Sequence, residues 1–407
     1  MIRKVVLIMI ILFSLKFYSL IFIPEVVIKV SDWIGIAMIA AFTILFMFYN
    51  REPLMKQHFS LPIFMILFSV VLSMFGAYVF QDQSFMATAY GQRVIYFYFI
   101  YFMLHYLRVP GDFIVRTILT FALVYMGLFL LQYVLYPRLI TTSKVFMDRG
   151  TVRIFLSGAG YLVISYFIWL FLVFKNFKLK YVILLLLTLG IFVILGTRQI
   201  IASVLLLTIL FMLQSRVVKS KFFFFFMIGL AIIPIYFLFQ DVIFAMFDVT
   251  RNQARNLEGN ARIEAARYFM TEFMSGKWAY ITGNGATGRS QYGLRIARIA
   301  EQYGYYQSDI GLIGEFSKYG IIYVGGVILI LIRALRAKLP EGLMFIKYNF
   351  MGIILTLVTA AGAFGTSGTN ILINSMLLYL IDLYLHDEHA FGFLLTAKKE
   401  SEAEATS

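Results

Sequence analysis

Arg198 is the residue whose position in this sequence most clearly indicates chemistry. It lies in the turn GTRQ (196–199), between the apolar runs 181–196 and 200–214, with no acidic residue nearby. A guanidinium carries a planar fork of N–H donors that matches two phosphate oxygens at once. This position therefore indicates an anionic ligand. The simpler alternative is that the side chain anchors the turn at a membrane surface.

A second group of candidate residues lies further along the chain. Arg262 and Arg267 lie in a segment with helical spacing, and Asp309 directly precedes another apolar run. A carboxylate there could take a proton from an attacking hydroxyl group, or it could only cap the following helix. The two arginines could likewise pair with Glu258 and Glu264 on the helix surface instead of binding a ligand.

The composition places these residues in an integral membrane protein. Of the 407 residues, 61% are hydrophobic and 14% are charged, and the mean hydropathy is +0.86, whereas soluble domains are about 45–50% apolar and about 25% charged. Apolar runs of roughly 20 residues predict spanning helices rather than a barrel of short alternating strands. The chain has no cysteine, no histidine pair with zinc-ligand spacing and no DxD motif, so we expect no metal and no other cofactor.

The apolar runs predict an all-α polytopic membrane protein with about twelve transmembrane helices. The first run follows two basic residues but no small-residue cleavage site comes after it, so we interpret it as a spanning helix rather than a signal peptide. The predicted spans are 5–23, 32–49, 59–80, 94–107, 113–136, 154–174, 181–196, 199–214, 222–240, 309–332, 345–362 and 369–385.

Lysine and arginine in the short connections predict the orientation. With the N-terminus inside, every second connection is basic, as in 175–180 and 333–347, and the tail adds Lys398 and Lys399. The positive-inside rule then places both termini in the cytoplasm. It also explains much of the net charge of +14, so we predict no nucleic-acid partner.

Basic residues on the other side need a different explanation, and an anionic ligand on that face is the simplest one. They lie in the connection 137–153, which includes Arg149 and Arg153, and in the only long connection, about 241–308. The long connection is predicted to be helical, because Asn260 can cap a helix over 260–274 and a second helix is expected over 290–303. The first helix has an apolar stripe that would let it lie on the membrane or on the bundle: Ile263, Ala266, Met270 and Phe273.

The predicted organisation has four parts. Residues 1–240 form an N-terminal transmembrane bundle of about nine helices, and 241–308 form an extracytoplasmic loop with amphipathic helices. Residues 309–386 form the C-terminal transmembrane helices, and 387–407 form a cytoplasmic tail.

Four segments, in this order, resemble the superfamily of O-antigen polymerases and O-antigen ligases. They are GTRQIIA (196–202), NARIEAARYF (260–269), ITGNGATG (281–288) and SDIGLIGEFSKYGIIYVG (308–325). The resemblance covers roughly residues 190–330. It implies a polytopic glycosyltransferase fold of the GT-C type. It also implies action on sugars that polyprenyl pyrophosphate carries at the outer face of the inner membrane.

The resemblance also implies roles for single residues. Arg198 matches the arginine that opens a span on the outer side, and Arg262 matches the arginine that begins the helix of the large loop. The pair Gly283 and Gly285 matches a Gly-x-Gly turn after that helix. Together with Gly283 and Gly285, the expected substrate-binding residues are Arg149, Arg153 and Arg267.

Asp309 is where the chain departs from the ligases. They have a His followed by Asn at the positions of Asp309 and Ile310, whereas Gly320 keeps the family's spacing. This departure favours the polymerase branch, with Asp309, Arg198 and Arg262 as the catalytic residues. Should Asp309 not be the base, Glu272 and Glu315 are the next carboxylates to consider.

The expected function is therefore polymerisation of repeat units into a surface polysaccharide, O-antigen or capsule, by a metal-independent transfer in the bacterial inner membrane. The donor and the acceptor would both be glycans linked to undecaprenyl pyrophosphate, and membrane lipid and a chain-length regulator protein are further expected partners. One alternative is a ligase that transfers glycan to lipid A core. Another is a transporter or flippase for an anionic lipid or solute, which should hold cations inside the bundle. Here Lys16 and Arg116 are the main ones predicted there.

Overall fold

The structure is a computed structural model. It describes residues 2–49, 55–148, 151–218, 260–357, 364–365, 367–387 and 390–392, together with isolated residues between 229 and 244. The described part is mostly helical, and its helices are numbered in chain order. The first group is α1 (Ile2–Ser14), α2 (Glu25–Tyr49), α3 (Ser60–Gln81), α4 (Phe85–Gly91), α5 (Phe99–Leu107), α6 (Gly111–Leu135), α7 (Ala159–Lys175), α8 (Leu179–Leu195) and α9 (Arg198–Gln214).

The second group of helices follows residue 260. It comprises α10 (Ala261–Met270), α11 (Ala279–Thr282), α12 (Gln291–Tyr303), α13 (Gly311–Arg336), α14 (Met344–Thr356) and α15 (Gly368–His386). Short 3-10 helices are Lys16–Ser19, Arg93–Tyr98, Gln307–Asp309 and Glu341–Leu343. An antiparallel hairpin of β1 (Val145–Asp148) and β2 (Thr151–Ile154) pairs Val145 with Ile154.

The described helices bear out an all-α membrane protein. Five of them, α2, α3, α6, α13 and α15, are long and apolar enough to cross a membrane. Shorter apolar helices are α7, α8, α9 and the segment Arg93–Leu107. The predicted span 222–240 lies outside the residues that the structure describes as a continuous segment, and the total of twelve spans and the GT-C architecture stay predictions.

The first predicted span, 5–23, is longer than the helix that forms there. Helix α1 ends at Ser14, and Lys16 to Ser19 adopt left-handed backbone angles. The chain turns because it pairs with a later connection: Leu20 forms an antiparallel bridge with Thr141, and the Thr141 hydroxyl donates to Tyr18 O at 3.0 Å. Lys16 therefore lies beyond the end of α1, in the short 3-10 helix Lys16–Ser19.

The long helices run up and down, so successive connections alternate between the two ends of the bundle. Leu312 N donates to Leu357 O at 2.8 Å, which joins the start of α13 to the end of α14. At the other end, Arg216 N donates to Glu341 Oε1 at 3.0 Å, which joins the end of α9 to the turn before α14. We call the end that carries α10 to α12 the loop face and the other end the opposite face.

The ends of further helices meet at the opposite face. Arg333 Nη1 near the end of α13 donates to His58 O before α3, and His58 N donates to Asp382 Oδ1 of α15 at 3.3 Å. The Tyr379 hydroxyl of α15 donates to Val109 O, just before α6, at 2.9 Å. The connections that precede α3, α6 and α14 are thus on one side, as the alternation of basic connections predicts.

The loop-face helices have a small hydrophobic core of their own. Phe269, Phe273, Tyr292 and Ile299 are buried together, and the core packs on Phe316 of α13. Burial of these side chains stabilises the packing of the helices on the bundle. The predicted helix over 290–303 is confirmed by α12, with a shift of one residue at its start.

Asn260 caps α10 as predicted, since its side chain accepts from Arg262 N at 3.0 Å. Two residues of the predicted apolar stripe contact the loop-face core, since Phe273 is buried and Ala266 packs against it, whereas Ile263 is 52% and Met270 42% exposed. Helix α10 also buries Ala265 and Phe269, and contact of the stripe with the membrane stays a prediction. Ala265 and Phe269 are four residues apart and therefore share the buried face of α10, which turns Ile263 and Met270 away from the core.

Candidate active site at the loop face

A glycine-rich segment enters the bundle between α3 and α13. A Cβ added at Gly76 of α3 would lie 2.0 Å from Gly283 O, and one added at Gly320 of α13 would lie 2.0 Å from Ile281 O. The backbones of these three segments are therefore in direct contact. Only glycine permits so close an approach.

The inserted segment is bonded to α13 through its backbone. Asn284 N donates to Ser317 O at 3.0 Å and Gly285 N donates to Lys318 O at 2.8 Å. Helix α13 is interrupted just after these carbonyls, at Gly320, whose φ of 75° is left-handed. Irregular backbone inside a membrane bundle requires protein partners of this kind, because lipid offers none.

Gly283 and Gly285, which the sequence predicts to bind substrate, are buried in this segment. Their φ values are 72° and 71°, in the region where side chains are disfavoured. Gly283 N donates to Ala279 O at 2.8 Å, so the N–H groups of residues 283 to 285 all have protein acceptors. The structure accounts for these glycines by packing, and their role in substrate binding stays a prediction.

Glutamines from the end of α3 hold the inserted segment from the other side. Gln81 Nε2 donates to Asn284 Oδ1 at 2.8 Å, and Gln83 Nε2 donates to Ala286 O at 2.9 Å. Gln83 Oε1 also accepts from Gly288 N at 2.9 Å. These glutamines are not among the site residues predicted from the sequence. Amides at the end of an apolar run were the available signal.

Tyr292 of α12 closes the segment against the loop-face helices. Its hydroxyl donates to Gly285 O at 3.2 Å. Complete burial raises the pKa of Tyr292, because the charged phenolate would lose its hydration. The phenol therefore stays a neutral hydrogen-bond donor at physiological pH.

The predicted catalytic residues Arg262 and Asp309 lie on elements that touch each other. Helix α10 packs on the 3-10 helix Gln307–Asp309 and on α13. Asp309 is half-buried and accepts a hydrogen bond from the Ser308 hydroxyl at 3.1 Å, whereas Arg262 and Arg267 are exposed. A half-buried carboxylate next to a cationic helix can serve a reaction that involves an anion and a proton transfer.

Two simpler alternatives were that Asp309 only caps the following helix and that the arginines pair with glutamates on the helix surface. The N-cap of α13 is Ile310, without a side-chain hydrogen bond, so Asp309 is not a capping residue here. Among the ion pairs of the described residues, none joins Arg267 to Glu264. Glu258, the other proposed partner, lies outside the described residues.

Arg198 and Arg153 lie at the same face, on two elements that both pack against α8. Arg198 is the first residue of α9, as predicted, and is half-buried at the loop face. Arg153 is in β2, which packs on α6 and α8, and its guanidinium lies over the ring of Phe155 at 5.2 Å. Arg149 lies outside the described residues.

Glu315 is a buried carboxylate just inside α13. It is only 3% exposed, and its Oε2 accepts a hydrogen bond from the Tyr323 hydroxyl at 3.1 Å. A Cβ added at Gly365 would lie 2.7 Å from Glu315 Oε1, so the carboxylate faces the chain that leads into α15. An ionisable group inside a membrane bundle is a functional candidate by default. Glu272, the other carboxylate considered as an alternative base, is exposed.

A further charged cluster near the loop face was not predicted as a unit. Asp32 of α2 is 2% exposed and pairs with Lys16 Nζ at 3.3 Å and with Arg93 Nε at 2.9 Å. Lys16, predicted to lie inside the membrane span, therefore has a carboxylate partner. Two cations share one anion, so the cluster retains positive charge.

No protein-family model, curated protein or solved structure matches this chain. The residues and their geometry are therefore the basis for assigning a function.

Proposed function

We propose that this protein is a membrane-embedded glycosyltransferase that polymerises glycans carried on polyprenyl pyrophosphate, as the resemblance implies. The observation that carries the proposal is the contact between α10, with exposed Arg262 and Arg267, and the turn that holds half-buried Asp309. A pyrophosphate needs guanidinium groups and an attacking hydroxyl needs a carboxylate. The loop face offers both on adjoining elements.

In the proposed reaction, the acceptor hydroxyl attacks the anomeric carbon of the donor sugar. The new glycosidic C–O bond forms while the bond between that carbon and the pyrophosphate oxygen breaks. Asp309 takes the hydroxyl proton, and polyprenyl pyrophosphate leaves with the electron pair. Arg198 and Arg262 stabilise the charge that develops on the leaving group, which is the largest catalytic term in many enzymes.

The orientation belongs to the proposal, with the loop face outside and both termini in the cytoplasm of a bacterial inner membrane. Because the chain has no cysteine, single cysteines can report sidedness without background. Lys277→Cys at the loop face should react with a membrane-impermeant maleimide in intact cells. Lys338→Cys at the opposite face should react only after permeabilisation. The reverse pattern would place the proposed site on the wrong side.

The activity test uses the purified full chain in proteoliposomes. The substrate is lipid-linked oligosaccharide extracted from a strain of the source organism that lacks this protein. We expect a ladder of longer glycans that differ by one repeat unit. One polyprenyl pyrophosphate should be released for each unit added. Transfer to lipid A core without a ladder would favour the ligase.

A second candidate function is supported by a specific observation. Glu315 is buried inside α13, and Lys318 on the same helix interacts with it electrostatically. Charged groups inside a bundle are typical of transporters. Movement of the lipid-linked glycan between leaflets, without chain growth, would establish a flippase and overturn the polymerase.

Arg198→Lys tests the proposed contact with pyrophosphate. Lysine keeps the charge but not the planar fork, so we expect a strong loss of polymer at an unchanged protein level. A matched control is Arg289→Lys, since Arg289 is an exposed loop-face arginine outside the proposed site. Normal chain length with Arg198→Lys would leave Arg198 as an interface anchor only.

A further inference from the structure

The opposite face contains a cavity that the proposed reaction does not use. It has a volume of about 620 Å³ and lies between the chain before α3, the end of α13 and the end of α15. Ligand pockets in proteins commonly have about 300–1,000 Å³. The cavity is therefore large enough for part of a lipid.

The lining is basic at one end and apolar along its length. Lys56, Arg333 and Arg336 contribute three cations, and no acidic residue is among the lining residues in the described part of the chain. Since Arg333 and Arg336 are three residues apart on α13, they project from the same side of the helix. The apolar wall is made by Phe59, Leu329, Ile332, Ile381 and Leu385.

A buried carboxylate holds the wall of the cavity in place. Asp382 is fully buried, and His58 Nδ1 lies 2.9 Å from Asp382 Oδ1. The other carboxylate oxygen accepts from the Tyr101 hydroxyl and lies 3.2 Å from His105 Nε2. Since Arg333 donates to His58 O, one of the three cations is fixed to this network.

We propose that this cavity binds the phosphate headgroup of an anionic membrane lipid. Lys56, Arg333 and Arg336 surround the phosphate, and an acyl chain lies along the apolar wall. Basic pockets between membrane helices on one side of a bilayer are suited to such headgroups, and each basic side chain adds to the attraction. The proposal does not depend on the glycosyltransferase assignment.

The apolar wall favours a lipid over a free phosphate. Ile332 is 41% and Leu385 is 44% exposed, and both line the cavity together with the three cations. A free phosphate would leave this surface uncovered, whereas an acyl chain would bury it. The occupant is therefore expected to be amphipathic.

The test measures lipid binding to the purified full chain in mild detergent. Native mass spectrometry and melting temperature are recorded as phosphatidylglycerol is added at physiological ionic strength. Phosphatidylglycerol should remain bound and raise the melting temperature, because a ligand of the folded state stabilises it. Lys56→Gln with Arg336→Gln should weaken binding by about 30-fold and Lys56→Gln alone by about fivefold.

Lys338→Gln is the matched control. It removes one exposed cation from the same face, but Lys338 does not line the cavity. Equal loss from Lys338→Gln would mean that general surface charge binds the lipid, which would overturn the site. Equal binding of phosphatidylcholine would overturn the role of the charge, and equal stabilisation by glycerol phosphate would overturn the lipid assignment. The single Lys56 variant decides the matter if the double variant does not fold.

Discussion

The two ends of the helix pair α3 and α13 are built in different ways. At the loop face, Gly76, Gly283 and Gly320 bring three backbones into contact. At the opposite face, side chains from distant segments meet at the Asp382 carboxylate. Backbone contact leaves no space for a larger residue, whereas a side-chain network can lose one member and remain packed. The loop face should therefore be the less tolerant end, although Arg262 and Arg267 are exposed there.

The largest expected effect is on folding at the loop face. A Cβ at Gly283 would lie 2.2 Å from Lys318 O, and its φ is positive, so Gly283→Ala should cost more than about 3 kcal/mol from clash and backbone strain together. Folded protein extracted from membranes should fall close to zero by size-exclusion chromatography. Gly276→Ala is the control, because a Cβ there meets nothing within 4 Å. Equal yields of folded protein from both variants would contradict the tight packing of Gly283 against α13.

The next effect concerns the proposed base. Asp309→Asn should lower the turnover number by about 10²–10⁴-fold with the protein still folded, because an amide cannot take the proton. Glu315→Gln should retain most activity, since an amide oxygen can still accept from the Tyr323 hydroxyl. The comparison is made in the proteoliposome assay. The reverse ranking would transfer the base to Glu315.

A smaller effect is expected at the opposite face. Asp382→Asn keeps the shape of the side chain and one accepting oxygen, so it weakens the hydrogen bonds with Tyr101, His58 and His105 without removing them all, at a cost of about 1–2 kcal/mol. We expect a melting temperature several degrees lower and unchanged transfer activity per folded molecule. Loss of activity in protein that remains folded would mean that the two faces are coupled.

The smallest effect concerns the hydrogen bond from Tyr292 to the inserted segment. Tyr292→Phe removes the donor to Gly285 O and should lower the free energy of unfolding by about 1 kcal/mol. Tyr303→Phe is a suitable control, since Tyr303 is 61% exposed. Thermal unfolding of both variants in detergent makes the comparison. If Tyr303→Phe lowers the melting temperature as much as Tyr292→Phe, the hydrogen bond to Gly285 O does not stabilise the inserted segment.

Local signals predicted some elements correctly. The cap at Asn260, the helix near 290–303 and the helix that begins at Arg198 all follow from residue types within a few positions. The stripe on α10 was predicted only in part, because the choice of the buried face, with Ala265 and Phe269, depends on the neighbouring segments. The predicted span 5–23 was too long, because α1 ends at Ser14 and the chain after it pairs at Leu20 with Thr141. Thr141 is more than a hundred residues away, so no local pattern indicates this pairing.

The candidate site divides in the same way. Arg198, Arg262 and Asp309 could be named from type and position, because charged groups beside apolar runs are conspicuous. Three features could not be predicted in this way: the burial of Glu315, the hydrogen bond from Gln81 to Asn284 and the insertion of the glycines between two helices. These features require knowledge of which helices are neighbours.

What the sequence by itself determined is that the chain is a membrane-embedded helical protein, with basic connections at alternate ends. Apolar runs and charge positions are enough for this, since transfer to a bilayer acts on each segment separately. Only the tertiary structure decided that Gly283 packs against α13, that Asp32 neutralises part of the charge of Lys16 and Arg93, and that Asp382 organises a basic cavity. Such contacts join residues far apart in the chain, and their energies depend on geometry that local composition does not encode.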